Sequence, residues 1–307
     1  MMDYFLITLS AVLIACQNAF NKLYQKNTQK GIRSTLIYPA IVSVFSVVLF
    51  LAMNGFSLKF GLFSFIVALI VSANSVWMMV INIFAFKEGS VSVCTMFMML
   101  GGMLLPYLYG ILFLSEEVTV TRIVGVLVLV GALVLSSFAQ SGNEGEKKNS
   151  KKFYVYCLIM FVCNGFAGAI SKFHQVRSTA LPTFDYLVWV YALRCVFAFI
   201  VFAIVTLVLK RRAERASEEL TPMFADRKRG TLAVIFSVGF AVTSGLGYFL
   251  QLIVAKTLDA SLLFPFVTGG TIIFSTLMAR IAFKEKISVK MWIALAIMLS
   301  GTILFVF

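Results

Sequence analysis

Residues 120–139 read VTRIVGVLVLVGALVLSSFA. The run from Ile123 to Leu135 carries no charge and does not alternate polar with apolar residues. A hydrocarbon core about 30 Å thick needs roughly 20 apolar residues wound as a helix. In lipid each backbone N–H and C=O must be satisfied inside the protein, and a helix does this by itself. A membrane β-barrel would show alternating segments of about ten residues instead. The stretch therefore reads as a membrane-spanning helix. Comparable stretches lie near 4–22, 35–54, 61–85, 91–114, 153–171, 184–209, 230–254, 259–282 and 288–307. With the first, that makes ten predicted spans.

Composition agrees. Hydrophobic residues make up 61% of the chain and charged residues 13%, and the mean hydropathy is +0.97. A soluble domain, ordinarily about 45–50% apolar, has no interior large enough for this. The sequence begins MMDYFLITLS, with no basic stretch before the apolar run and no small-residue cleavage site, so the first span is expected to be a retained helix. The net charge is +13. Because the basic residues sit in short loops between spans, anionic lipid headgroups are the expected counterpart and nucleic acid is not. The densest group is Lys210, Arg211, Arg212 and Arg215, followed by Arg227, Lys228 and Arg229. Twenty of the 26 basic residues fall in loops after odd-numbered spans and five after even-numbered ones, with Arg194 left over. Positive-inside bias then predicts both termini outside, with loops 140–152 and 210–229 in the cytoplasm. The cysteines Cys16, Cys94, Cys157, Cys163 and Cys195 lie within spans, without metal-ligand spacing, and read as packing residues.

The polar segment Gln140–Lys152 divides the chain into two halves of five spans. Sliding 85–138 onto 254–307 brings Lys87 to Lys256, Ser92 to Ser261, Gly101 to Gly270, Glu116 to Glu285, Val120 to Val289 and Phe138 to Phe307. The same shift brings Ser75 to Ser244 and Asn82 to Gln251. A shift of 150 brings Asn21-Lys22-Leu23-Tyr24-Gln25 to Ser171-Lys172-Phe173-His174-Gln175, and Tyr4 to Tyr154. A repeat with an odd number of spans must enter the membrane from the opposite side the second time. The halves are then related by a pseudo-two-fold axis in the membrane plane, a recurring transporter architecture.

Here the chain resembles the EamA-type ten-helix members of the drug/metabolite transporter superfamily, over nearly its full length. The resemblance rests on the duplication and on the ending of each half: Phe113-Leu114-Ser115-Glu116-Glu117-Val118-Thr119 then Gly125, and Phe283-Lys284-Glu285-Lys286-Ile287-Ser288 then Gly301. The acidic residue before the last span of each half is characteristic of the family, as is Pro265 early in the ninth span. The matching position in the first half is Met96, a departure, with Pro106 ten residues later. The resemblance implies an all-α membrane protein of ten helices. These form two inverted five-helix repeats, 1–139 and 153–307, joined by the linker 140–152, around a central cavity lined by spans 1–4 and 6–9.

Polar side chains inside spans are costly and mark candidate sites. Ser75, Met78, Met79 and Asn82 share one face of the third span; Ser244, Gly247, Tyr248 and Gln251 share the matching face of the eighth. Gln17 and Asn21 share a face of the first span, and Asn164, Gly168 and Ser171 a face of the sixth. Each of these polar groups could line a cavity or bond a neighbouring helix. Lys22 and Lys172, at helix ends, are expected to snorkel to the interface, and Gly165 and Gly168 to allow close helix approach. Arg194 lies nine residues beyond Asp185, roughly 13 Å at helical rise, which puts it near mid-membrane with Tyr191 on its face. A central Arg costs at least about 2.5–3.5 kcal/mol and must meet protein, water or a ligand.

No HExxH, G-x-S-x-G or paired carboxylates occur, so an enzyme is not expected, nor is a cofactor or metal. The small multidrug exporters of the superfamily carry an acid in the first helix, where this chain has Gln17, Asn18 and Asn21. The expected function is secondary transport of a small polar or anionic metabolite, such as an amino acid or organic acid, by alternating access. An exporter of neutral or drug-like compounds of the same superfamily and a non-transporting membrane receptor or scaffold stay open. The expected location is the plasma membrane, as a multi-pass protein.

Overall fold

A computed structural model describes residues 2–29, 31–141, 150–216, 222–284 and 286–305. Among them the secondary structure is entirely helical: α1 (Met2–Asn27), α2 (Ile32–Met53), α3 (Leu62–Glu88), α4 (Val91–Leu114), α5 (Val120–Ser141), α6 (Lys151–Gln175), α7 (Thr183–Ala216), α8 (Arg227–Val254), α9 (Ala260–Phe283) and α10 (Val289–Ile303). Nine of these are long and apolar enough to cross a membrane; α10 has 15 described residues and is shorter. The surface is oily as a lipid-facing surface must be, with Ile204 56% and Leu207 58% exposed on α7. The protein is an integral, multi-pass helical membrane protein.

The helix ends follow local chemistry. Ser90, Ser150 and Ser288 are N-caps whose hydroxyls accept from Val93, Phe153 and Met291 N–H, the side-chain type best suited to the unsatisfied first turn. At the other end α4 and α9 stop alike. Ser115 and Lys284 both take the left-handed conformation, and the cap N–H reaches back to Gly110 O in α4 and Ala279 O in α9. These positions correspond under the 169-residue shift.

The predicted spans differ from the helices mainly in their ends. α6 runs a full turn past the predicted end at 171, and α7 extends to Ala216. At 34 residues, α7 is about 51 Å long, well beyond the hydrocarbon thickness. Its last turns carry Lys210, Arg211, Arg212 and Arg215, all exposed. The expected linker 140–152 is shorter than its polar composition suggests: α5 reaches Ser141 and α6 begins at Lys151. Residues 142–149, with Glu285 and Phe307, lie outside the described residues.

The chain packs as two compact units, each drawn from both sequence halves. The first comprises Met1–Ala15, Trp77–Ser178 and Gly247–Phe307; the second comprises Cys16–Val76 and Thr179–Leu246. Packing units and the expected repeats 1–139 and 153–307 are thus different divisions of the chain. Within the first unit α4 packs on α6 and α9, and α5 on α10. Its core includes Ile7, Met103, Leu129, Leu263 and Met298. The α4–α6 crossing is close because it is built on glycine. A Cβ on Gly165 would lie 2.5 Å from Gly101 O, and one on Gly101 would collide with the Phe161 carbonyl. Gly168 abuts Pro106. Small residues here let the backbones touch, as expected of helices that cannot rely on a hydrophobic drive in lipid. Within the second unit α2 packs on α7.

Candidate functional site

In the second unit the start of α7 is tied to the α2–α3 connection. Asp185, 3% exposed, accepts from Asn54 Nδ2 at 2.9 Å and Lys59 N at 2.8 Å, and Trp189 Nε1 donates to Lys59 O at 3.0 Å. Further along, Ser72 Oγ donates to Val190 O at 2.7 Å, fixing α3 against α7. One turn beyond, Arg194 Nη2 donates to Ser75 Oγ at 3.0 Å. The Ser75 hydroxyl gives its own proton to Val71 O at 2.8 Å, which turns its lone pairs toward the guanidinium. Arg194 Cζ stands 5.1 Å from the Tyr191 ring centroid, a cation–π distance. Tyr191, 3% exposed, is stacked on Phe50 at 5.6 Å and 12°.

The Arg194 charge is therefore met by a neutral hydroxyl and an aromatic face. No carboxylate lies within ion-pair distance of it among the described residues, and its Nε is buried without a hydrogen-bond partner. Guanidinium offers five donors in a rigid fork, so donor capacity remains here. Of the other candidates in this unit, Asn21 Oδ1 accepts from Gln25 at 3.3 Å. Gln17 and Ser244 are half-buried with no side-chain hydrogen bond among the described residues.

The remaining candidates belong to the first unit. Ser171 Oγ donates to Ala167 O at 2.6 Å, so in its 2.8 Å contact with Tyr248 the tyrosine hydroxyl is the donor. Asn164 Nδ2 donates to Met98 O at 2.8 Å across the α4–α6 crossing, which uses one amide proton for helix packing. Asn82 Oδ1 lies 3.8 Å from Cys94 Sγ. Gln251 is half-buried with no side-chain hydrogen bond among the described residues. The paired residues Ser75 and Asn82 of the third span thus fall in different units, as do Ser244 and Gln251 of the eighth.

Lys172 departs from the sequence expectation. It is 4% exposed and does not snorkel. Its Nζ donates to Ala255 O at 2.9 Å and Leu258 O at 2.7 Å, carbonyls at and just past the end of α8, and lies 3.9 Å from Glu116 Oε1. Glu116 accepts from Ala260 N at 2.7 Å and Ser261 N at 2.8 Å at the start of α9. Arg122 Nη1 bonds Asp259 Oδ2 at 2.8 Å, Ser261 Oγ at 3.1 Å and Glu117 O at 3.1 Å. Two cations and two carboxylates balance here, in contrast to Arg194. Both helix ends meet their favoured charge, ammonium at the carbonyl end and carboxylate at the N–H end. The sequence signal for this cluster was Lys at matched ends of α1 and α6 together with Glu116, but nothing in the spacing joined them.

No protein-family model and no curated protein matches the chain. Twenty-eight solved chains match by structure. One, a crystal structure, superposes with a TM-score of 0.70 at 16% identity, covering 97% of this chain and 94% of that one. At that identity the likeness is one of fold, and it extends over nearly the whole of both chains.

Proposed function

We propose that this protein is a secondary transporter of a small polar or anionic metabolite, built as two inverted five-helix repeats of the drug/metabolite transporter type and working by alternating access. The observation that carries the reading is Arg194. A permanently charged side chain deep in an apolar helix is costly, and here its partners are a serine hydroxyl and a tyrosine face. An anchor for a substrate carboxylate or phosphate gives that charge a use. Support for the repeat comes from matched helices that pack on each other, α2 on α7, α4 on α9 and α5 on α10, and from the shared endings of α4 and α9. The proposed setting is the plasma membrane, with both termini outside.

Flux into reconstituted vesicles tests the reading, using radiolabelled amino acids and organic acids against neutral solutes. A charge-assisted contact of about 1.5–3 kcal/mol corresponds to roughly 10- to 150-fold in affinity. Arg194→Gln should weaken an anionic substrate by that factor, and Arg194→Lys, which keeps charge without the fork, by less. Neutral solutes should change little. Normal anion transport by Arg194→Gln would remove the anion preference, and absence of any flux across the metabolite panel would remove transport itself.

A further inference from the structure

Two carboxylates stand at the N-terminus of α9, and the helix uses the one that is remote in sequence. Asp259 occupies the N-cap position, where an aspartate ordinarily accepts N–H groups of the first turn. Its side chain makes no cap hydrogen bond. It is turned onto Arg122 instead, at 2.8 Å. The cap comes from Glu116 in the α4–α5 connection, whose two oxygens take Ala260 N and Ser261 N. Space for that carboxylate exists because residue 110 is glycine; a Cβ there would collide with Glu116. Lys172 completes the arrangement, holding the carbonyls of Ala255 and Leu258 while facing Glu116. The elbow between α8 and α9 is thus gripped at both ends by residues from outside it. Ser261 sits where the two caps compete, with its N–H on Glu116 and its Oγ on Arg122.

We propose that Glu116 and Asp259 are exchangeable caps of α9, so that the α8–α9 elbow has a clasped and a released state. In the clasped state described here, Glu116 caps and Asp259 rests on Arg122. In the released state Asp259 turns onto the Ser261 N–H, as its position already allows, and Glu116 withdraws with Lys172 as a neutral pair. Arg122 keeps the Glu117 carbonyl. The exchange leaves α9 capped throughout, so the elbow can part from α6 and the α4–α5 connection without exposing an uncapped helix end. The released state gives up the Lys172 bonds to Ala255 O and Leu258 O, the Glu116 bond to Ala260 N and the Arg122–Asp259 pair but keeps the helix capped, and two such discrete packings make a bistable element. The proposal concerns the elbow alone and holds whatever the protein carries.

A double-mutant cycle read by amide hydrogen exchange on the purified full chain tests it. Glu116→Met and Asp259→Ala each leave the other carboxylate to cap, so each should change exchange in the first turn of α9 by about twofold or less. Together they should raise it by more than the roughly fourfold that two single effects would give by multiplication, up to about 30-fold, the upper size of one lost cap. Single effects that simply multiply would overturn the proposal. Should the double variant fail to accumulate, Arg122→Gln gives a second measurement. It should lower the melting temperature in the native chain and have a clearly smaller effect once Glu116 is Met, because Asp259 has then already left Arg122 and only the bond to the Glu117 carbonyl is left to lose. An equal loss in both backgrounds would overturn the exchange.

Discussion

Replacing Lys172 with methionine keeps the length of the side chain and removes its charge. The structure gives the size of the effect. Nζ makes two hydrogen bonds to carbonyls, at 2.9 and 2.7 Å, and an ion pair at 3.9 Å to a carboxylate whose side chain is 5% exposed. Glu116 keeps its two N–H donors, so it is not wholly uncompensated. Removing one partner of a buried pair costs about 3–5 kcal/mol. At roughly 2–4 °C per kcal/mol for a large domain, Lys172→Met should lower the melting temperature by about 6–20 °C. Melting of the detergent-purified protein, followed by size-exclusion fluorescence, measures this. Lys172→Arg should fall between, since it keeps charge but not shape. Lys210→Met is the control. That ammonium is 63% exposed and 3.9 Å from Glu214, and surface pairs contribute about 0–1 kcal/mol. If Lys172→Met melts within about 2 °C of the native chain, the lysine reaches the interface as its sequence position suggests, and the account of the α8–α9 elbow fails with it.

Gly165→Ala places a methyl 2.5 Å from Gly101 O and should destabilise by about 1–3 kcal/mol, the usual cost of overpacking; a melting temperature equal to the native one would show the α4–α6 crossing to be looser than described. Asn82→Leu and Gln251→Leu should each reduce transport with little loss of folded protein if these amides meet substrate, whereas parallel loss of melting temperature and transport would assign them to structure. A single cysteine at Ser141 should resist a membrane-impermeant reagent in intact cells, and ready labelling there would reverse the proposed orientation.

The sequence by itself determined the spans. Lipid forces the backbone of each apolar stretch to satisfy its own hydrogen bonds, so runs such as Ile123–Leu135 become helices wherever they sit. Helical spacing likewise placed Tyr191 and Arg194 on one face, because three residues apart on a helix are neighbours. It also marked Gly165 and Gly168 as contact residues, since close helix crossings in lipid require small side chains. Tertiary structure decided what those faces meet. Periodicity assigns a side to a helix but not a partner to that side. Asn164 was legible as an inward amide, but its bond to Met98 O depends on how α6 crosses α4. Lys172 looked like a residue at a span's end because composition turns polar there. α6 continues a turn further; the end of α8 and the α8–α9 connection, more than 80 residues away in sequence, supply two carbonyls, and Glu116 of the α4–α5 connection supplies a carboxylate, which together make burial of its charge tolerable. An aspartate at an N-cap ordinarily serves its own helix. Only the folded chain brings Glu116 to that helix and Arg122 to Asp259, since charge pairing between distant segments is set by packing and leaves no mark in the order of residues.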